Sequence, residues 1–96
     1  RLPHMFLADG SAVYDRLGRW FTLIVLDGSP TQALEAAAAQ AGVPLSVLHI
    51  DDANVARVYE KKLLLVRPDH HVSWRGDSMP ADALALIRQA AGQADS

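Results

Sequence analysis

Histidines and acidic residues are the side chains in this 96-residue chain that acid–base or metal chemistry would need, and two of its four histidines are adjacent. His70 and His71 sit in the stretch LLLVRPDHHVSWRG, Leu63 to Gly76. Neighbouring residues on a strand point to opposite faces, so this pair cannot readily hold one ion together. The pair reads instead as turn and surface histidines. His4 and His49 lie far away in sequence, and no His-x₃-His spacing recruits them. His49 is expected on a strand face as a satisfied, partly buried histidine. Asp51 and Asp52 have the chemistry for acid–base work or magnesium, but a helix cap accounts for them more simply. Hydrolysis by a Ser-His-Asp set would need a Gly-x-Ser-x-Gly elbow, which is absent; the serines follow turn residues, as caps do.

Composition removes further classes. There is no cysteine, so thiol nucleophiles, Cys-zinc sites and dithiol redox chemistry are excluded. The glycines are 10, 18, 28, 42, 76 and 92, and no two have a Gly-x-Gly spacing. Neither a dinucleotide fingerprint nor a phosphate loop can be built from them. A net charge of −2 with scattered Lys and Arg gives no basis for nucleic-acid binding. Apolar runs such as Leu63–Val66 fall far short of the roughly 20 residues of a membrane span. No signal peptide is visible. The cysteine-free composition suits a reducing compartment, and the expected location is cytoplasmic. The chain opens RLPHMF without an initiator Met, as a segment of something longer would.

The elements that would position these residues follow from spacing. Asp9-Gly10 marks a turn, and Ser11 is the expected cap of a short helical turn ending at Gly18. WFTLIVLDG reads as a buried strand from Phe21 to Leu26. In SPTQALEAAAAQAG, Ser29 is the expected N-cap, Pro30 the first helical residue and Gln32 the partner in a capping box. Gly42 stops that helix. LSVLHID is a strand with Leu45, Val47 and His49 on one face and Ser46, Leu48 and Ile50 on the other. Asp51 or Asp52 caps a short helix carrying Val55, Val58 and Tyr59. The LLLVRPDHHVSWRG hairpin follows. A last helix starts at Pro80, carries Asp82 at its positive end, and ends at Gly92; Leu84, Ile87 and Ala91 form its apolar stripe.

This order predicts an α/β fold: a parallel β-α-β unit, then a hairpin added to the same sheet, giving four mixed strands with helices on both faces. It is the order of a thioredoxin-like fold. Thioredoxin chemistry would need Cys-x-x-Cys at the first strand–helix junction, which here reads LDGSPTQ. The proline that thioredoxins carry before the third strand is also missing from YEKKLLLV. In the hairpin, simple alternation puts Val72 and Trp74 on one face and His71, Ser73 and Arg75 on the other. Trp74 is then a core anchor or a contact with another domain. Arg67 and Arg75 have Asp69 and Asp77 as candidate partners.

Three blocks of the chain resemble the C-terminal domain of FAD-dependent aromatic-ring hydroxylases, the group containing phenol hydroxylase and polyketide hydroxylases. They are RLPHMFLADGSAVYDRLGRWFTLIVL, GVPLSVLHID and LLLVRPDHHVSWRG, in order and spanning nearly the whole chain. The family's third block has Gly where this chain has His70. Histidine is among the non-glycine residues enriched in the left-handed region, so His70 is expected to keep the turn's backbone shape or else shift the hairpin register. The resemblance implies a cysteine-free thioredoxin-like module whose parent enzyme passes hydride from NAD(P)H to FAD and hydroxylates an aromatic ring.

It further implies that cofactor and substrate sites lie in preceding FAD-binding and substrate domains, so this chain is expected to hold no catalytic, cofactor-binding or metal residue. Residues 1–20 are expected to form an irregular connecting segment, 21–92 the thioredoxin-like domain, and 93–96 a tail. Arg1, Pro3, His4, Asp9, Trp74 and Arg75 are the candidate contacts with those domains or with a second copy in a homodimer. The alternative is a free-standing interaction module of the same fold without redox activity. In either case the isolated chain should not accelerate reduction of insulin disulfides by dithiothreitol; turnover above the uncatalysed rate would overturn this part of the reading.

Overall fold

A computed structural model of the chain describes residues 2–92; the expectations for Arg1 and for the tail 93–96 lie outside the described residues. The elements, in chain order, are α1 (Val13–Arg16), β1 (Phe21–Val25), α2 (Gln32–Ala41), β2 (Leu45–His49), α3 (Ala53–Tyr59), β3 (Leu63–Val66), β4 (Val72–Gly76) and α4 (Ala83–Ala90). The strands form one sheet in the order β2-β1-β3-β4. β1 is parallel to β2 and antiparallel to β3, and β3 is antiparallel to β4. This is the expected four-stranded mixed α/β sheet, with β1 and β3 at its centre.

Alternation along those two strands divides the core. Leu23, Val25, Leu63 and Leu65 point to the side covered by α2 and α4, where they meet Leu34, Ala37, Ala38 and Ile87. Ile24, Leu64 and Val66 point to the other side and meet Val55 and Tyr59 of α3, Val13 of α1, and Leu2. Helices therefore cover both faces. A fully buried aliphatic side chain contributes about 1.5–3 kcal/mol of transfer free energy, so both faces of β3 support the fold. Polar atoms inside are matched: buried Thr22 accepts a bond from the Gly18 backbone N–H at 2.7 Å through its hydroxyl.

Several helix starts differ from the sequence expectation, and an aspartate stands near each of them. The Ser29 hydroxyl and N–H both donate to the Asp27 carboxylate, at 2.5 and 3.0 Å, in a turn ahead of the helix, and the N-cap position falls at Thr31 rather than Ser29. α2 begins two residues beyond Pro30, with buried Thr31 at the cap position and its hydroxyl donating to Glu35. The Ser11 hydroxyl likewise donates to Asp9, and Ala12 precedes α1, which ends before Leu17 rather than at Gly18. α4 begins at Ala83 rather than Pro80, because the Asp82 carboxylate accepts the Ala85 N–H at 3.0 Å. Asp52 caps α3 as expected, accepting from Asn54 and Val55. Gly42 follows α2 in the left-handed conformation, φ +72°, which no β-carbon opposes.

Two further corrections concern strands. His49 is exposed rather than partly buried, because it ends an edge strand that has no neighbour beyond it. Val72 and Trp74 do not share a face. Leu65 pairs with Trp74 but Val66 pairs with Val72, which leaves Ser73 as an extra residue in β4. That bulge resets the alternation. Trp74 joins the α2/α4 core, whereas Val72 joins the α3 core, with Arg75 opposite Leu64 on that same side.

The Trp74 ring lies against Gly76. A β-carbon at Gly76 would lie 2.7 Å from the Trp74 ring. Gly76→Ala should destabilise the chain by about 1–3 kcal/mol, as overpacking of a fitted site does. In a Trp20→Phe background it should also shift the Trp74 emission to the red. Urea unfolding and fluorescence read both, and unchanged values would show that the ring does not rest on Gly76.

Candidate functional site

The hairpin that holds the histidines is built by its turn. The His70 N–H donates to the Arg67 carbonyl at 2.9 Å, and the Arg67 N–H donates to the His71 carbonyl at 2.8 Å. Pro68 and Asp69 fill the two central turn positions, and His70 follows with φ +68°. This is a three-residue loop closed by a left-handed residue, normally glycine. His70 thus keeps the glycine-like backbone shape expected of it.

The two histidines then separate. The His70 ring packs on Tyr14, with centroids 4.4 Å apart, while His71 Nδ1 lies 3.3 Å from Asp69. Asp69 also pairs with Arg67 at 2.8 Å. The Asp69 carboxyl is held below its ordinary value chiefly by the His71 backbone N–H, with Arg67 and the His71 ring adding to it. Asp9 and Asp27 are lowered in the same way, first by the hydroxyls of Ser11 and Ser29 two residues on. These carboxylates are committed to turn closure and are charged at neutral pH. Among the described residues there is no cluster of three or more His, Cys, Asp or Glu that could hold a metal ion.

The first residues of the chain cross the α3 face of the sheet. The Leu2 N–H donates to the His70 carbonyl at 2.8 Å, and the Leu2 carbonyl accepts the Tyr14 hydroxyl. The Pro3 carbonyl accepts the Tyr59 hydroxyl at 3.0 Å. The Met5 carbonyl accepts the Val13 N–H, and Phe6 bridges to Ala12. His4 contacts Phe6 edge-on at 4.9 Å and Tyr14 at 4.6 Å, so four rings run Phe6, His4, Tyr14, His70 across the surface. Phe6 is 61% exposed at the end of that row.

The candidate contact residues fall into separate places. Pro3, Trp74 and Arg75 come together around an open depression of about 530 Å³ beside β4. His4 belongs to the ring row, and Asp9 closes a distant turn with Arg16 at 2.9 Å. Arg1 lies outside the described residues. Arg67 pairs with Asp69 as anticipated, but Asp77 pairs with Lys61 at 3.6 Å rather than with Arg75. Tyr59, Val58 and Leu64, which nothing in the sequence marks as surface residues, also line the depression. The helical spacing of Val55, Val58 and Tyr59 is the available signal; Val55 and Tyr59 are buried and Val58 is 41% exposed. Nothing in this arrangement sets a nucleophile against a base.

The family model described as "Aromatic-ring hydroxylase, C-terminal" matches residues 1–94. The FAD-dependent monooxygenase opdD of Penicillium oxalicum is 36% identical over 101 residues, covering 96% of this chain and 19% of its own length. Among solved structures, the rebeccamycin biosynthetic enzyme RebC with reduced flavin superposes with a TM-score of 0.89 at 34% identity, over 96% of this chain and 18% of RebC. Aklavinone-11 hydroxylase, in a ternary complex with FAD and aklavinone, superposes at 0.73 and 29% identity, over 94% of this chain and 20% of its own. This chain spans about a fifth of the length of these proteins.

Burial, and secondarily the neighbouring Tyr14 phenol, pushes the Tyr59 hydroxyl up to about 12 from 10.0. Folding thus favours the neutral phenol. Its contribution is complete below pH 10 and is lost as pH rises towards 12, because the unfolded chain ionises first. In urea unfolding between pH 9 and 12, wild type should lose stability more steeply than Tyr59→Phe. Parallel slopes would show that Tyr59 is not the group responsible.

Proposed function

The chain belongs to the aromatic-ring hydroxylase C-terminal family, and from that premise we propose that it is a non-catalytic C-terminal module of an FAD-dependent, NAD(P)H-using aromatic-ring hydroxylase. One observation carries the reading. Each of the relatives described matches over nearly all of this chain but only a fifth of itself, and those relatives are flavin-dependent enzymes by name or by the flavin in their structures. The work assigned to the module is docking on the FAD-binding and substrate domains of the same polypeptide. Residues 1–20 would carry the connection, and Pro3, His4, Trp74 and Arg75 would contribute contacts with those domains or with a second copy.

What supports a docking role over a chemical one is the use of the polar side chains. Asp9, Asp27, Asp52, Asp69 and Asp82 serve turns and caps. Phe6 at 61%, Trp20 at 53% and Val58 at 41% exposure leave apolar surface for a partner. The same exposure would suit a free-standing interaction module, and the reading frame around this segment separates the two. FAD and NAD(P)H are assigned to the longer chain. The location assigned is the cytoplasm; separately, no described helix is long and apolar enough to cross a membrane.

The test compares three purified proteins: the longer polypeptide, the same polypeptide lacking this module, and the isolated chain. The longer form should retain FAD and oxidise NAD(P)H on addition of its aromatic substrate. The isolated chain should show no flavin absorbance after incubation with FAD and desalting. The truncated form should keep the capacity to bind FAD while losing thermal stability. Stoichiometric flavin on the isolated chain, or an upstream reading frame without a flavin-binding unit, would overturn the proposal.

A further inference from the structure

Leu2 fixes where the rest of a longer polypeptide has to arrive. It is 1% exposed and packs among Ile24, Val55, Leu64 and Val66, so it is an anchored point of the core. Its N–H donates to the His70 carbonyl at 2.8 Å, which places it against the turn between β3 and β4. From there the segment crosses the α3 face away from the turn. The Met5 carbonyl accepts the Val13 N–H, and Phe6 and Leu7 share a hollow with Asp52, Ala53 and Asn54 at the start of α3. The segment therefore has a direction. A chain that arrives at Leu2 arrives at the turn end of the sheet and not at the Phe6 end.

The turn end carries apolar surface of its own. Phe21 pairs with Leu45, and Thr22 pairs with Val66. Just outside these pairs stand Trp20, Pro44 and, past Arg67, Pro68. All three share one rim of the sheet, and all three are exposed. Trp20 is 53% exposed, a large aromatic area to leave in water. Neighbouring strands lie about 4.8 Å apart, so one to two spacings, roughly 10 Å, separate Trp20 from the turn that holds Leu2. An extended chain covers about 3.5 Å per residue, so about three or four residues upstream of Leu2 reach the indole.

We infer that the polypeptide directly upstream of Leu2 lies along this rim and covers Trp20, so that the module meets the rest of its chain at the turn end of the sheet. The inference rests on the module reading above, in which this chain is C-terminal and the longer part of the polypeptide comes before it. It adds the face and the occupant. Two constraints favour this occupant over a second copy. The upstream stretch is tethered beside Trp20, at about millimolar effective concentration, so burying one indole suffices to hold it. The tether also has no slack, because its last point is seated in the core and bonded to the turn.

The experiment uses the longer polypeptide with a diazirine amino acid in place of Trp20. Illumination should crosslink it to the same polypeptide within about ten residues upstream of Leu2, a reach of roughly 35 Å. A diazirine at Phe6, at the other end of the segment, should not capture that stretch. A Gly-Ser insert directly before Leu2 should shift the Trp20 crosslink onto the insert. Trp20 and Phe6 are exposed, so both replacements should keep the wild-type circular dichroism. Capture of nothing at Trp20, or of a second copy alone, would overturn the inference. So would capture of the upstream stretch at Phe6 instead, or a Trp20 crosslink that stays on the same natural residue after the insertion. Capture of another part of the same polypeptide at Phe6, with none at Trp20, retires this face and leaves docking standing; capture at neither position retires both.

Discussion

Everything in this fold depends on β3 being sealed on both faces and both edges. Leu63, Leu64, Leu65 and Val66 are each at most 1% exposed. β1 and β4 take up the backbone groups of β3 on either side. A strand so enclosed cannot present polar atoms, and four aliphatic side chains are the economical way to meet that condition. The strand in turn dictates where helices can sit. Leu63 and Leu65 demand cover from α2 and α4, while Leu64 and Val66 demand it from α3 and from the beginning of the chain.

The second half of that demand gives the irregular first residues a structural task. α3 is too short to cover the sheet alone, and Leu2 completes the layer at 1% exposure. The segment is held by bonds from three parts of the chain: the Leu2 N–H to the hairpin turn, and the hydroxyls of Tyr14 and Tyr59 to the carbonyls of Leu2 and Pro3. Position 70 therefore has two tasks. Its backbone adopts the left-handed shape that ends the turn, and its carbonyl and ring anchor the start of the chain. A glycine there would serve the backbone equally well but would offer Tyr14 no ring. Burial in that layer raises the Tyr59 phenol above its ordinary range, which ties the layer's integrity to pH in the alkaline range.

The candidate site was legible where chemistry depends on residue type and illegible where it depends on register. The turn at Pro68-Asp69, the left-handed His70 and the Asp52 cap follow from local geometry, and the structure contains all three. Ser29 is not the cap because it closes a turn on Asp27, with both its hydroxyl and its N–H, and the helix starts further along the chain, behind Thr31. Alternation failed at β4 for a different reason. One extra residue, Ser73, moved Arg75 from the expected face to the face of Leu64, and nothing in VSWRG announces a bulge, since it is set by pairing with a strand several residues away.

The sequence by itself determined the α/β order, the four-stranded sheet, the central place of LLLV and the exclusion of thiol and phosphate-loop chemistry. It did so because composition, capping and period are local properties, and because its three motif blocks match one family along nearly the whole chain. Only the tertiary structure decided that Leu2 is a core residue, that Trp74 rests on Gly76, and that Pro3 and Arg75 share a hollow with Val58 and Tyr59. Those are contacts between residues up to about seventy positions apart in the sequence. Their existence depends on strand register and on which layer each element finds to cover, and both are settled only when the chain closes on itself.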